Sequence, residues 1–520
     1  MTHHAPPTPP PTVETASGTL RGRAADGVQR FLGVPYAAPP RGAARFEPPA
    51  PVTPWPGVRD AGAHGPTAPQ PRRDAFGDLD MTPYFGPGWV PGPDYLTLNV
   101  WAPAPPTPGP GPGRALPVLV FVHGGGFVAG SGRAPLYDGA GFARGGVVLV
   151  TVNYRLGVAG FLDLPGAPPN RGLLDVVAAL RWVRRHAAAF GGDPDNVTLF
   201  GQSAGASLVA ALLADEEAAG LFRRAIVQSG NGLGAHTPEQ AARVTRAAAD
   251  ALGVAPTAAA FAELPDERLV AVLDALAGLD LRTATAGDPL LGLSPLSLTL
   301  DRQPAETLAA TAAGADVTLM VGTTADEGNL YLVPQGRLAS TTTAELTSTA
   351  ALAHPVGRHA DAALDIAAAR ARRPGASDGE LRAAVLGEAL FGRGSRRLAQ
   401  AHAAHGRAAT YAYEFGWRSP ALGGALGAAH TVELPFVFAR TALPALRGPS
   451  ALLGPGEPAH DLAARTHRAW VSFARDGDPG WAPYDPRHQH VEAVGGGRGR
   501  SVVRASPSVR RMAGWRAGSG

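Results

Sequence analysis

The residues best placed to do chemistry are Gly201-Gln202-Ser203-Ala204-Gly205, a serine between glycines where the β-prone run Val197 to Phe200 ends and an apolar helical stretch begins. A serine projected from a sharp strand-to-helix turn is a nucleophile elbow: the turn exposes the hydroxyl, and the glycines leave room where side chains would collide. The chemistry this supports is acyl transfer through a covalent serine ester. Upstream, Phe121-Val122-His123-Gly124-Gly125-Gly126-Phe127 closes another β-prone run. Its consecutive glycines can turn backbone N–H groups into one pocket, where they would stabilise the oxyanion of a tetrahedral intermediate. Such a serine needs a base and an acid, and in a strand-turn-helix setting the chain order is Ser, then Asp or Glu, then His. Asp326 and Glu327 both follow a later β-prone run, and nine of the 15 histidines lie beyond them. Position alone therefore leaves the acid and the base open.

A sheet must hold these groups. Between Thr97 and Gly230 short apolar runs alternate with helical periodicity, the pattern of a mainly parallel sheet covered by helices. Leu98 to Trp101, Val118 to Val122, Val147 to Val152 and Val197 to Phe200 are predicted strands, followed by Val317 to Gly322 and Ala409 to Phe415. Leu173 to Phe190 has a crowded apolar face ending at Gly191-Gly192 and is predicted as a crossover helix. Ala102 to Gly113 is too rich in Pro and Gly for a helix or a central strand, so it is predicted as a surface connection. Two mostly helical stretches, about 235–305 and 333–405, are expected to be insertions forming a cap on a single catalytic domain over 13–494. Residues 1–12 are expected to be a disordered Pro-rich lead-in and 495–520 a C-terminal tail.

With 520 residues, 45% hydrophobic and 17% charged, the chain has ample material for a large core, which excludes disorder of the whole. No apolar run approaches the roughly 20 residues of a membrane-spanning helix, and the opening residues lack the features of a signal peptide. All 46 basic residues are Arg, with neither Lys nor Cys, so a net charge of only +3 still gives a pI of about 9.4. No long basic stripe accompanies that pI, and no nucleic-acid partner is expected. Without Cys there are no disulfides, no Cys-ligated metals and no thiol catalysis. The histidines lack metal-ligand spacing, His488 and His490 included, and the glycines around Gly124 lack a P-loop lysine. Neither a metal nor a cofactor is expected.

Stretches running from Arg30 to Pro40 (RFLGVPYAAPP) through LTLNVWAP, VTVNYRLGVAGFL, AAAFGGDPDNVTLFGQSAGAS, GTTADEG and AAHTVELPFVF to WVSFARDGDPG cover roughly residues 15 to 485. In these the chain closely resembles the type-B carboxylesterases, the carboxylesterase and cholinesterase family of the α/β-hydrolase fold, in their bacterial para-nitrobenzyl-esterase-like form. The resemblance implies a large, mostly parallel central sheet flanked by helices. It further implies Ser203 as nucleophile, Glu327 as acid, His430 as base, and the N–H groups of Gly125, Gly126 and Ala204 as oxyanion hole. It gives Arg155 and Asp175 as a structural ion pair near the elbow, and Ser229 as a serine beside the triad.

Departures from the family pattern shape the expected substrate. Two positions often joined by a disulfide are Ala68 and Tyr95 here, leaving that loop without a covalent tether. Pro93 stands before Asp94 where relatives carry Glu, which puts a salt bridge to Arg45 in question. Gln202 replaces a glutamate, removing a negative charge, and the aromatic position of the choline-binding loop is Phe85, with Trp89 nearby. A cationic choline ester is therefore not the expected substrate. The resemblance implies a serine carboxylesterase acting on small-molecule esters; the departures point to uncharged, partly apolar esters and a cytoplasmic location, and the oligomeric state is left open with a monomer favoured. An amidase, carbamate hydrolase or thioesterase would use the same groups, and a non-catalytic ligand-binding member of the family is the remaining alternative.

Overall fold

The computed structural model describes residues 10–104 and 115–496. Its centre is a ten-stranded sheet made of β1 (Arg23–Ala25), β2 (Val28–Pro35), β3 (Thr97–Pro103), β4 (Leu116–Val122), β5 (Val148–Val152), β6 (Gly192–Gln202), β7 (Arg224–Gln228), β8 (Thr318–Thr324), β9 (Thr410–Phe415) and β10 (Glu492–Val494). In space the order is β10-β9-β8-β7-β6-β4-β5-β3-β2-β1. From β5 through β10 every neighbouring pair is parallel, whereas β3, β2 and β1 add on antiparallel at one side. Strand β5 is buried along its whole length and β4 along nearly all of it, which is why they read as near-continuous apolar runs instead of alternating ones; β7 is equally buried, but Arg224 and Gln228 at its ends interrupt the pattern.

This topology positions a site. The chain leaves β4 for β5 on one side, then returns through helix α1 (Arg171–His186) to β6 on the other side of β4. Connections that depart in opposite directions from neighbouring strands open a crevice at their carboxyl ends. In the register of that pair Gly201 lies opposite Val122, so the glycine run after β4 and the serine after β6 emerge side by side. Beneath the crevice Arg155 and Asp175 are fully buried and joined by two side-chain bonds, Nε to Oδ2 at 2.9 Å and Nη2 to Oδ1 at 2.7 Å. The carboxylate also takes the Arg155 amide N–H at 2.9 Å, so this pair ties the loop after β5 to α1.

Several expectations need adjusting. The chain forms a strand at Thr12–Thr15, paired with Gly18–Arg21, so order begins inside the expected lead-in; residues 1–9 of that lead-in lie outside the described residues. The expected tail lies outside them from 497 onward, as does 105–114 of the surface connection. The stretch 235–305 is helical only at Pro238–Leu252, Ala258–Ala262, Asp266–Ala275 and, from its last residues, Pro304–Ala310; between 276 and 303 it is irregular. In the stretch 333–405, Thr343–Leu352, His359–Arg372 and helix α3 (Asp378–Gly387) pack around Leu346, Ala350, Leu381 and Val385. Its last helix, α4 (Arg393–His405), instead lies against β8 and β9.

Candidate active site

Ser203 occupies the turn between β6 and helix α2 (Ala204–Leu213) with φ 58° and ψ −126°, a backbone state that is costly for a residue with a side chain. The flanking glycines allow it by close approach: a Cβ on Gly205 would collide with the Val122 carbonyl, and one on Gly201 would crowd the Gly205 backbone. The start of α2 thus faces the serine with the positive end of the helix dipole.

Glu327 and His430 are brought together from opposite ends of a long stretch of chain. Glu327, in the turn after β8, is 4% exposed and His430 is 2% exposed. The Oε2 of Glu327 accepts from His430 Nδ1 at 2.6 Å. Its Oε1 accepts from the Thr324 amide N–H at 2.7 Å and from Ser229 Oγ at 2.6 Å. With Nδ1 donating, the neutral imidazole carries its lone pair on Nε2, the arrangement a general base requires. That lone pair faces the Gln202 amide nitrogen at 3.1 Å, and Gln202 Oε1 in turn accepts from the Tyr84 hydroxyl at 2.8 Å. The Ser203 hydroxyl neighbours the Tyr84 hydroxyl, and among the described residues it makes no hydrogen bond to His430. Proton transfer from Ser203 therefore requires its hydroxyl to take the place of the Gln202 amide.

Asp326, the competing acid, points elsewhere: it pairs with Arg418 and with Arg373 (3.4 Å) and accepts the Ala428 N–H at 3.2 Å. Of these two acids, Glu327 is the one that meets an imidazole.

The glycine run after β4 is held by its carbonyls. His123 Nδ1 donates to Gly124 O at 2.8 Å, and Ser294 Oγ to Gly126 O at 2.8 Å. Gly125 and Gly126 have φ of 122° and 63°. Among the described residues, the N–H groups of Gly125, Gly126 and Ala204 donate to no backbone or side-chain acceptor, which leaves three donors at the end of the crevice. Burial pushes the His123 imidazole down to about 4, its bond to Gly124 opposing this, so the ring stays neutral against Tyr154 at a centroid distance of 4.5 Å.

Behind the histidine, Glu433 is fully buried. It accepts from Gln228 Nε2 at 3.0 Å and from the Tyr413 hydroxyl at 2.9 Å, and Gln228 Oε1 accepts from Trp470 Nε1 at 3.2 Å. Burial pushes the Glu433 carboxyl up to about 7, against the opposing effect of those two donors. Sequence reading gave no role to Tyr84, His123, Ser294 or Glu433. Glu433 stands inside one of the stretches that carry the family resemblance and His123 inside the glycine run after β4, whereas Tyr84, on the four-residue helix Thr82–Phe85, and Ser294, in irregular chain, reach the site from segments that carry no periodic signal.

Of the pocket candidates, Gln202 meets His430 and Ser229 meets Glu327. Phe85 is buried edge-on against Tyr84, centroids 4.9 Å apart, so it packs behind the site. Trp89 is half-buried, and no ring contact joins it to His430 among the described residues. The loop between Ala68 and Tyr95 is tied without a covalent link: Thr67 Oγ1 donates to Gly88 O and accepts the Val90 N–H, both at 2.7 Å. Arg45 pairs with Asp266 at 3.3 Å, while Asp94 is taken by Arg59 at 2.6 Å.

Comparison with known proteins bears on the family and the fold. The Carboxylesterase family matches residues 9–496. The chain is 38% identical to phenmedipham hydrolase of Pseudarthrobacter oxydans and 36% identical to para-nitrobenzyl esterase of Bacillus subtilis (strain 168), in each case over 90% of both chains. A crystal structure of a Geobacillus stearothermophilus carboxylesterase superimposes with a TM-score of 0.78 at 34% identity, covering 97% of this chain and 100% of that one. The chain belongs to the carboxylesterase family and is a carboxylic ester hydrolase of the α/β-hydrolase fold.

Proposed function

We propose that this hydrolase works as a serine esterase with Ser203 as nucleophile, His430 as base and Glu327 as the acid that orients it. The observation that carries the reading is the bond between Glu327 Oε2 and His430 Nδ1 at 2.6 Å, made beside a strained serine at the switch point of the sheet. His430 Nε2 takes the Ser203 proton as Oγ attacks the ester carbonyl, and the charge developing on the carbonyl oxygen falls to the N–H groups of Gly125, Gly126 and Ala204. The protonated imidazole, paired with Glu327, then gives its proton to the departing alcohol. Water repeats the sequence on the acyl-enzyme and releases the acid.

Gln202, a neutral residue next to the nucleophile, favours uncharged and partly apolar esters over choline esters. A chain without cysteine suits a cytoplasmic location, and a small-molecule substrate needs no macromolecular partner. The test is turnover of p-nitrophenyl acetate, butyrate and octanoate, a phenyl carbamate and a choline ester, with Ser203→Ala alongside. Turnover of the uncharged esters that disappears in the variant is expected. A choline ester as preferred substrate would overturn the specificity, and undiminished turnover by Ser203→Ala would overturn the mechanism.

A further inference from the structure

We infer that Phe391 is a positioning residue for the catalytic histidine, held over its ring by a π turn in the second helical insertion; this rests on the reading of His430 as the base. Helix α3 does not run directly into α4: between them Glu388–Gly392 forms a π turn. Such a turn holds one more residue than an α turn, which rotates the side chains that follow by roughly 100°. Phe391 lies in this turn, 7% exposed, with its ring centroid 4.2 Å from that of His430 and only 11° between the planes. Tyr331 lies alongside both rings, 6.5 Å from Phe391 and 6.1 Å from His430.

The hydrogen bonds at Nδ1 and Nε2 fix opposite edges of the imidazole, yet they leave it free to tilt about the line joining them. A ring stacked on the flat face removes that freedom. It also presents an aromatic face to the imidazolium formed in the transition state, an interaction that the neutral ring lacks.

The insertion is anchored to the same triad at a second point, which fixes where Phe391 sits. Gly387, the last residue of α3, lies so close to the acid that a Cβ there would come within 2.9 Å of Glu327 Cβ and 3.1 Å of the Gly328 nitrogen. One helix end thus touches the acid through its backbone and the base through the following turn. The insertion is part of the catalytic frame as well as a cover for it.

The experiment compares Phe391→Leu, Phe391→Met and Phe391→Tyr with wild type on p-nitrophenyl acetate, an ester too small to report on acyl-pocket shape. Active-site titration supplies the concentration of competent enzyme, so that misfolded protein is not counted as lost turnover. Leu and Met fill the space without a π face and are expected to lower kcat on the order of tenfold with KM nearly unchanged, whereas Tyr retains kcat. Leu and Met variants with wild-type kcat, or a loss shared equally by Tyr, would overturn the inference. Ser203→Ala is measured in the same series: if it does not abolish turnover, the serine mechanism itself fails, whatever Phe391 does.

Discussion

Replacing Glu327 by Gln should silence the enzyme through a tautomer, and the hydrogen bonds around the carboxylate say why. Oε1 faces the Thr324 amide N–H at 2.7 Å, a donor fixed by the backbone that cannot turn away. A glutamine must therefore put its oxygen on that side, which leaves its NH2 facing His430 Nδ1, where Oε2 now accepts at 2.6 Å. Two donors cannot share that contact. The imidazole is driven to carry its proton on Nε2, and the lone pair needed to deprotonate Ser203 is lost. For a serine triad this wrong-tautomer effect costs on the order of ten-thousandfold in kcat, about 5.4 kcal/mol of transition-state stabilisation. KM for p-nitrophenyl acetate should stay close to wild type, because none of these atoms is needed to bind the ester. Steady-state kinetics with active-site titration measures both. A loss of only a few-fold, or a larger loss in Asp326→Asn than in Glu327→Gln, would refute the reasoning and move the acid to Asp326. The expected effect of Asp326→Asn is small, since that carboxylate is spent on Arg418, Arg373 and the Ala428 N–H.

Two further outcomes concern stability. Asp175→Asn should destabilise the fold by about 3–5 kcal/mol in denaturant melts, because it strands the fully buried Arg155 guanidinium; a shift below about 1 kcal/mol, the range of exposed pairs, would mean that the charge is solvated. Glu433 has its carboxyl raised to about 7 in the fold against an ordinary value of 4.5, so the native state binds the extra proton between those limits. Stability from this group is full below about pH 4.5 and is lost as pH rises through about 7, by on the order of 3 kcal/mol. Glu433→Gln should therefore show a flatter melting-temperature profile than wild type between pH 5 and 8, and parallel profiles would remove Glu433 as the titrating group.

The central strands were legible because burial on both faces writes them as continuous apolar runs, as at Val118 to Val122 and Val147 to Val152. The short strands β1 and β10 and the longer β2 gave no such signal, lying towards the edges of the sheet where apolar and polar residues mix. The elbow was legible for a local reason, since its two glycines answer to collisions within a few residues of Ser203. The base was not. Nine histidines follow Glu327, and what distinguishes His430 is a contact across 103 positions that no periodicity encodes. The π turn was equally hidden, because one additional residue in a helical run leaves an ordinary-looking apolar pattern. Arg45 illustrates a third kind of gap: its partner, Asp266, comes from an insertion whose path the sequence leaves undetermined.

The most direct test of the account is the site of covalent capture. Wild-type protein treated with a fluorophosphonate, which traps activated serines, should gain one adduct by intact mass, and peptide mapping should locate it on Ser203. Ser203→Ala should gain none, and Glu327→Gln and His430→Ala should label far more slowly. An adduct on any other residue, or a folded and esterase-active protein that gains none, would contradict the claim that Ser203 is the nucleophile.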